Sequence, residues 1–170
     1  SFTVSGLYLT NNITVTAPAG FEVSTSASSG FASSITLTQT SGTVSSTTIY
    51  VHLAATTAAG TYSGDVVVSS TDATSQNVAT VSSVVNQKEL TITGIAIANK
   101  LFDGNTDATI TGAPVLNGVI PADAANVTLG GTPVATFASS AVGTGIAVTI
   151  SGYSISGTAI GNYSFTQPSG

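Results

Sequence analysis

The sequence predicts an all-β chain built as two tandem β-sandwich modules, and three observations carry that expectation. Val, Ile and Leu alternate with Ser and Thr over short runs, the period of half-buried strands. Gly, Asn, Pro and Asp punctuate the runs at short intervals, as turns do between the strands of a sandwich. No apolar pattern with a 3.6-residue period is sustained over the 170 residues, which argues against a helical domain.

Taken in order, Phe2 and Val4 share a face, Gly6 interrupts, and Leu7 and Leu9 resume on the shifted phase; a Gly at a phase shift suggests a β-bulge. After Asn11-Asn12, Ile13 and Val15 point inward, and Pro18-Ala19-Gly20 breaks the chain before Phe21 and Val23. Ile35 and Leu37 follow the Ser-rich stretch 24–30, and Ser41-Gly42 is a turn. Ile49, Val51 and Leu53 form the next inward set, placing Tyr50 and His52 on the opposite face. Tyr62, Val66 and Val68, a Thr71-Asp72 turn and the run Val78–Val85 complete about seven strands.

A boundary is expected at Asn86-Gln87-Lys88-Glu89, dividing the chain into modules 1–86 and 87–170. Leu90 and Ile92 then open a strand, Gly94 shifts its phase, and Ile95 and Ile97 continue it. Residues 108–116 lead to Asn117-Gly118, a favoured tight-turn pair. Pro121–Asn126 is the one plausible helical turn, with Pro near its start. Strands at Val127–Leu129, Val134–Phe137, 147–155 and Tyr163–Thr166 complete the module. The helical turn keeps a smaller β-grasp-like fold open for this half.

Composition narrows the function. Charged residues make up 5% of the chain, hydrophobic residues 42%, and Ser with Thr nearly a third. Disorder needs high charge and few β-branched residues, so the chain folds. A net charge of −5 with two cations, Lys88 and Lys100, excludes the basic patch that nucleic acid or anionic lipid requires. No apolar run approaches the ~20 residues of a membrane-spanning helix. The chain opens without a signal-peptide pattern and reads as a mature fragment, and its Ser/Thr-rich, charge-poor composition suits a secreted or bacterial cell-surface protein. Zero Cys removes disulfides and thiol chemistry.

Catalytic constellations are missing. His52 is the only imidazole and reads as a surface or inter-module residue, with no Ser elbow, phosphate loop or His-rich metal motif beside it. The chain is therefore expected not to be an enzyme. Asp103, Asn105 and Asp107 have the spacing of the first oxygen ligands of a Ca²⁺ loop, with Asp123 or Glu89 as added donors. Ala108 stands where such a loop needs Gly, and Pro114 where it needs the bidentate Glu, so a turn capped by its own Asp and Asn competes with the metal reading. Ca²⁺ is the one cofactor considered. The Thr pairs Thr14/Thr16, Thr36/Thr38 and Thr91/Thr93 lack the register of an ice-binding array, and the Asn-x-Ser/Thr triplets at Asn12, Asn126 and Asn162 are weak glycosylation signals.

Two resemblances add to this reading. Lys100-Leu101-Phe102-Asp103-Gly104-Asn105-Thr106, then Val142-Gly143-Thr144-Gly145, Val148–Tyr153 and Gly161-Asn162-Tyr163, together resemble the YDG-type repeat of bacterial surface proteins over about residues 88–170. Phe102 stands where the signature has Tyr. Phe2–Gly6, Ile13–Ser24 and Ala59–Gly64 are similar to an Ig-like module of large exported proteins of Bacteroidota. The resemblances imply a stalk or adhesin-like role, with no catalytic residues to carry over.

They also imply a further strand before Phe2 and another after Tyr163; either the chain is a window cut from a longer array, or a strand is shared between neighbours. The edges for such sharing would be the strands of Phe2 and Val4 and of Tyr163 and Phe165. Lys100, Asn162 and Asp103 are the residue types of a Lys–Asn cross-link between first and last strands. The expected partners are copies of the chain or neighbouring repeats; a glycan or host ligand is the alternative.

Overall fold

A computed structural model describes residues 1–169, and the chain divides into two compact units, Ser1–Val85 and Asn86–Gly170. Both are all-β sandwiches.

The first unit holds β1 (Phe2–Gly6), β2 (Ile13–Thr16), β3 (Phe21–Ser24), β4 (Ser34–Leu37), β5 (Val44–Leu53), β6 (Gly60–Tyr62), β7 (Asp65–Ser69), β8 (Gln76–Ala79) and β9 (Ser83–Val85). One sheet has the order β1-β5-β3, its partner β4-β2-β7-β8, and β6 pairs with β9 in a separate ribbon. Inward residues of both sheets meet in one core: Val4, Val23, Val44 and Ile49 from the first, Ile13, Val15, Leu37 and Val66 from the second. Burying each such side chain contributes about 1.5–3 kcal/mol, the main source of stability in a unit without disulfides.

The nine strands exceed the expected seven because residues 78–85 are two strands, parted at an exposed Val81, and Tyr62 and Val66–Val68 fall in separate strands, β6 and β7. The bulge at Gly6 is present as a register shift between Val4 and Gly6. The strand does not resume at Leu7, however. Tyr8 adopts a positive φ of 57° and turns the chain out, leaving only Leu9 against the core. Ser41-Gly42 (φ 50° and 77°) and Asp72 (φ 63°) form the turns expected of them.

The second unit holds β10 (Lys88–Ile97), β11 (Asp107–Ala108), β12 (Ile110–Asn117), β13 (Thr128–Phe137), β14 (Val148–Ser156) and β15 (Tyr163–Phe165), with single 3-10 turns at Pro121–Asp123 and Ile160–Asn162. Its sheets are β12-β10-β15 and β11-β13-β14. The first and last strands run parallel, Lys88 opposite Tyr163 and Leu90 opposite Phe165. Ile92, Ala135, Val148, Ile150 and Tyr153 fill the space between the sheets at one end, and Leu90, Val127 and Tyr163 at the other. Inside the second cluster the Tyr163 hydroxyl accepts from Ile120 N (3.0 Å) and donates to Asp123 Oδ2 (2.8 Å). This pins the 3-10 turn, and burial pushes the phenol above its ordinary value.

One expectation changes here. The segments around 127–129 and 134–137 are one strand, β13, continued across a bulge between Gly131 and Val134. At Asn117-Gly118 the chain leaves β12 and turns, Gly118 at φ 100°, toward the 3-10 turn; β13 pairs with β14 and not with β12.

Both long strand pairs bend where two glycines face each other. Gly94 opposes Gly112, and Gly131 opposes Gly152, all with positive φ. A Cβ on Gly152 would lie 2.3 Å from the carbonyl oxygen of Thr132, whereas one on Gly104, also at positive φ, would meet nothing within 4 Å. Gly152→Ala is therefore expected to cost about 2–4 kcal/mol, combining left-handed strain with overpacking. Gly104→Ala should cost about 1 kcal/mol, from strain alone. Equilibrium denaturation of the two variants checks the contrast, and equal losses would contradict it.

Candidate functional site

The four spaced motifs of the second unit go to three places. Val148–Tyr153 lies in strand β14, whose inward Val148, Ile150 and Tyr153 are buried, and Gly161–Tyr163 leads from the 3-10 turn into β15. The other two, Lys100–Thr106 and Val142–Gly145, lie in separate loops that line one cleft of about 640 Å³ at the end of β10.

The first loop is organised around an ammonium. β10 ends at Ile97, Ala98 N donates to Thr109 O, and β11 re-enters the sheet with Asp107 opposite Thr136. Between these anchors the chain curls around Lys100. Its Nζ pairs with Asp103 Oδ1 (2.8 Å) and donates to the carbonyls of Asn105 (3.1 Å) and Asp107 (3.1 Å) and to Asn105 Oδ1. The acceptors are themselves fixed. Asp103 Oδ1 accepts from Asn105 N (3.0 Å), Asp103 Oδ2 from Asn105 Nδ2 (2.9 Å), and Asn105 Oδ1 from Asp107 N (3.0 Å). The Lys100 ammonium, and then the Asn105 N–H, hold the Asp103 carboxyl below its ordinary value.

The spacing of Asp103, Asn105 and Asp107 did mark a set of converging oxygens, but the cation they converge on is Lys100. Asp107 contributes its main-chain carbonyl, not its carboxylate. The added donors are elsewhere: Asp123 bonds Tyr163, and Glu89 lies beside Thr166 at the start of β10. A ten-residue strand spans about 30 Å, so neither reaches the loop. The Ca²⁺ reading gives way to an internal ammonium for that reason.

The same distance separates Lys100 from Asn162, the last residue of the 3-10 turn that leads into β15 beside Lys88. Lys100 and Asp103 are brought together and Asn162 is not, so the proposed cross-link is corrected: its amide cannot meet the amine. Among the described residues no group of three or more His, Cys, Asp or Glu could hold a metal ion.

The side chains around the cage do not serve the core. Leu101 is 91% exposed, Phe102 69% and Val142 87%. Lys100 and Asp103 neutralise each other, so the cleft combines apolar walls with no net charge, bordered by Ser139, Ser140 and Thr144. Large exposed apolar residues grouped on one rim mark contact surfaces. Nothing in the residue types announces this exposure, because Leu101 and Phe102 read like any other apolar pair.

The remaining candidates sit on ordinary strand positions. β1, with Phe2 and Val4, and β15, with Tyr163 and Phe165, are edge strands of their sheets. The outer edge of β14 is capped by a side chain: Gln167 Oε1 accepts from Tyr153 N (3.1 Å) and its Nε2 donates to Tyr153 O (2.7 Å). His52 is half-exposed, stacked on Phe31 (3.7 Å) and 3.2 Å from Glu22 Oε2. Asn12 accepts from Gln39 N and Asn126 from the Thr158 hydroxyl. Of the Thr pairs, only Thr14 and Thr36 face each other across adjacent strands.

Replacing Lys100 by Met keeps the stem and removes the cation, leaving the converging oxygens unpaired. Amide exchange at Asn105 and Asp107 is expected to accelerate at least about tenfold, the equivalent of about 1.4 kcal/mol; unchanged exchange would contradict the cage. The pH dependence follows from Asp103. Its carboxyl is lowered in the folded state, so its contribution is full above the ordinary value of 3.8 and is lost as pH falls through the lower folded value. The loop should keep its ordered NMR signals at pH 4 and lose them only in stronger acid; loss by pH 5 would contradict the pairing.

Comparison with known proteins agrees with the four motifs. A family model, the YDG domain, matches residues 86–170. No curated protein and no solved structure matches the chain. Through its second half, the chain belongs to the YDG domain family.

Proposed function

We propose that the chain is a structural segment of a secreted bacterial surface or filament protein, which spaces and assembles through tandem β modules and performs no catalysis. The first unit is read as an Ig-like module of the same kind. The observation that carries the proposal is the state of the sheet edges. Natural edge strands are protected by charges, above all Lys, by Pro, by bulges or by being very short. Here β1 (Phe-Thr-Val-Ser-Gly) and β15 (Tyr-Ser-Phe) are edges without charge or Pro, the only two lysines of the chain lie elsewhere, and the remaining protection is the bulge at the end of β1 and the three-residue length of β15. Edges without charge or Pro suit strand pairing with neighbouring modules or copies.

A second reading is favoured by one observation. The cleft of the second unit, lined by both apolar and polar side chains and with its one ion pair internally neutralised, is of a size that could take a ligand, as in an adhesin module that takes a glycan or host ligand.

Light scattering over a concentration series, with negative-stain microscopy, tests the leading reading. Oligomers or fibres are expected from the chain, and Thr3→Lys with Ser164→Lys should suppress whatever part runs through the edges. A monomer at every concentration would overturn the self-assembly reading.

A further inference from the structure

Among the described residues, the longest edge strand is β14 (Val148–Ser156). It has nine residues, Val-Thr-Ile-Ser-Gly-Tyr-Ser-Ile-Ser, with neither charge nor Pro. A long uncharged edge is a template for strand addition. The other edges of the second unit carry protection of their own: β12 contains Pro114, β15 has three residues and β11 two. The bulge that faces β14 between Gly131 and Val134 bends the pair, yet the N–H and C=O of Tyr153 still point outward, where Gln167 takes both.

The chain itself supplies the protection that β14 lacks. Past β15 the Thr166 hydroxyl donates to Glu89 Oε1 (3.4 Å) on β10, and the residues that follow cross to the other sheet. Gln167 Oε1 accepts from Tyr153 N (3.1 Å) and its Nε2 donates to Tyr153 O (2.7 Å), so one side-chain amide stands in for a peptide group. Ser169 adds a second rung, bridged antiparallel to Thr149. Pro168 lies between the two rungs and has no N–H to offer a further strand.

We infer that residues 166–169 are a guard segment: docked, they keep β14 closed to strand addition, and released, they turn β14 into an interaction edge. The native occupant of the edge is this segment. The partner of a freed edge is the β14 edge of a second freed copy, paired antiparallel as the guard is. Nine uncharged residues meet their own copy with no like charges opposed. The same edge serves on both sides, so the contact closes at two copies.

This inference goes beyond the self-assembly proposed above, because it concerns an edge that the wild-type chain keeps shut. Two rungs are a light hold, and Gln167 makes both bonds of one of them. A single substitution therefore releases the guard.

The test is made in a chain carrying Thr3→Lys with Ser164→Lys, in which β1 and β15 are blocked by charge. That background is compared with the same chain carrying Gln167→Ala as well. Amide exchange at Tyr153 is expected to accelerate at least about tenfold on losing Gln167. Sedimentation velocity from about 10 μM to 1 mM should show a dimer that the background lacks. Adding Ser151→Lys, at an exposed position of β14, should return the chain to monomer while the Tyr153 amide stays fast.

Unchanged exchange at Tyr153 would mean that the segment does not cover the edge. Faster exchange without a dimer would make Gln167 a local cap and no guard. Either result overturns the inference, as does a dimer that survives Ser151→Lys and so runs through another surface. A wild-type chain that stays monomeric overturns the self-assembly reading alone, since the guard is read with β1 and β15 blocked. Should Gln167→Ala unfold the unit, Gln167→Asn, one methylene too short for both bonds, replaces it under the same outcomes.

Discussion

The loop between β10 and β11 depends on a single cation. Lys100 sits inside a loop whose carboxylate, amide and carbonyl oxygens all turn toward its ammonium. With charges making up only 5% of the chain, there is no competing ion to pull the group out. The loop places Leu101 and Phe102 in solvent and makes one wall of the cleft. A surface ion pair by itself is worth little; this one is part of a closed hydrogen-bond network, in which removing one member strands the others.

The scaffold beneath the loop solves a different constraint. Each unit has about 85 residues and neither a disulfide nor a long helix, so nearly every strand must bury one face. Sheets of three and four strands do this only if they bend toward each other. In the second unit the bends fall at facing glycines, Gly94 with Gly112 and Gly131 with Gly152, where backbones approach closer than any Cβ allows. Gln167 then finishes the edge of β14 by lending its amide to Tyr153.

Much of the fold was legible in the sequence because burial imposes period two. Ile13 and Val15, Phe21 and Val23, and Leu90 and Ile92 alternate as they must to face a core. The phase shifts at Gly6 and Gly94 correspond to real register shifts. Where alternation misled, at Leu7, a left-handed Tyr8 broke the strand, and no residue type announces a left-handed tyrosine. The spacing of Asp103, Asn105 and Asp107 correctly marked converging oxygens but not what they converge on, since spacing does not distinguish Ca²⁺ from a lysine three positions upstream. Asn162 failed as a partner for Lys100 because sequence order hides the length of β10, which separates them.

The ammonium itself offers the most direct test. The chain has only two lysines, so a ¹⁵N-labelled sample should give at most two side-chain ammonium signals in an Nζ-detected proton correlation spectrum near pH 6. If Lys100 organises the loop, its ammonium protons exchange slowly and give a sharp signal coupled to the Asp103 region, while those of exposed Lys88 are lost to solvent exchange. Two ammonium groups exchanging at the same fast rate would contradict the account.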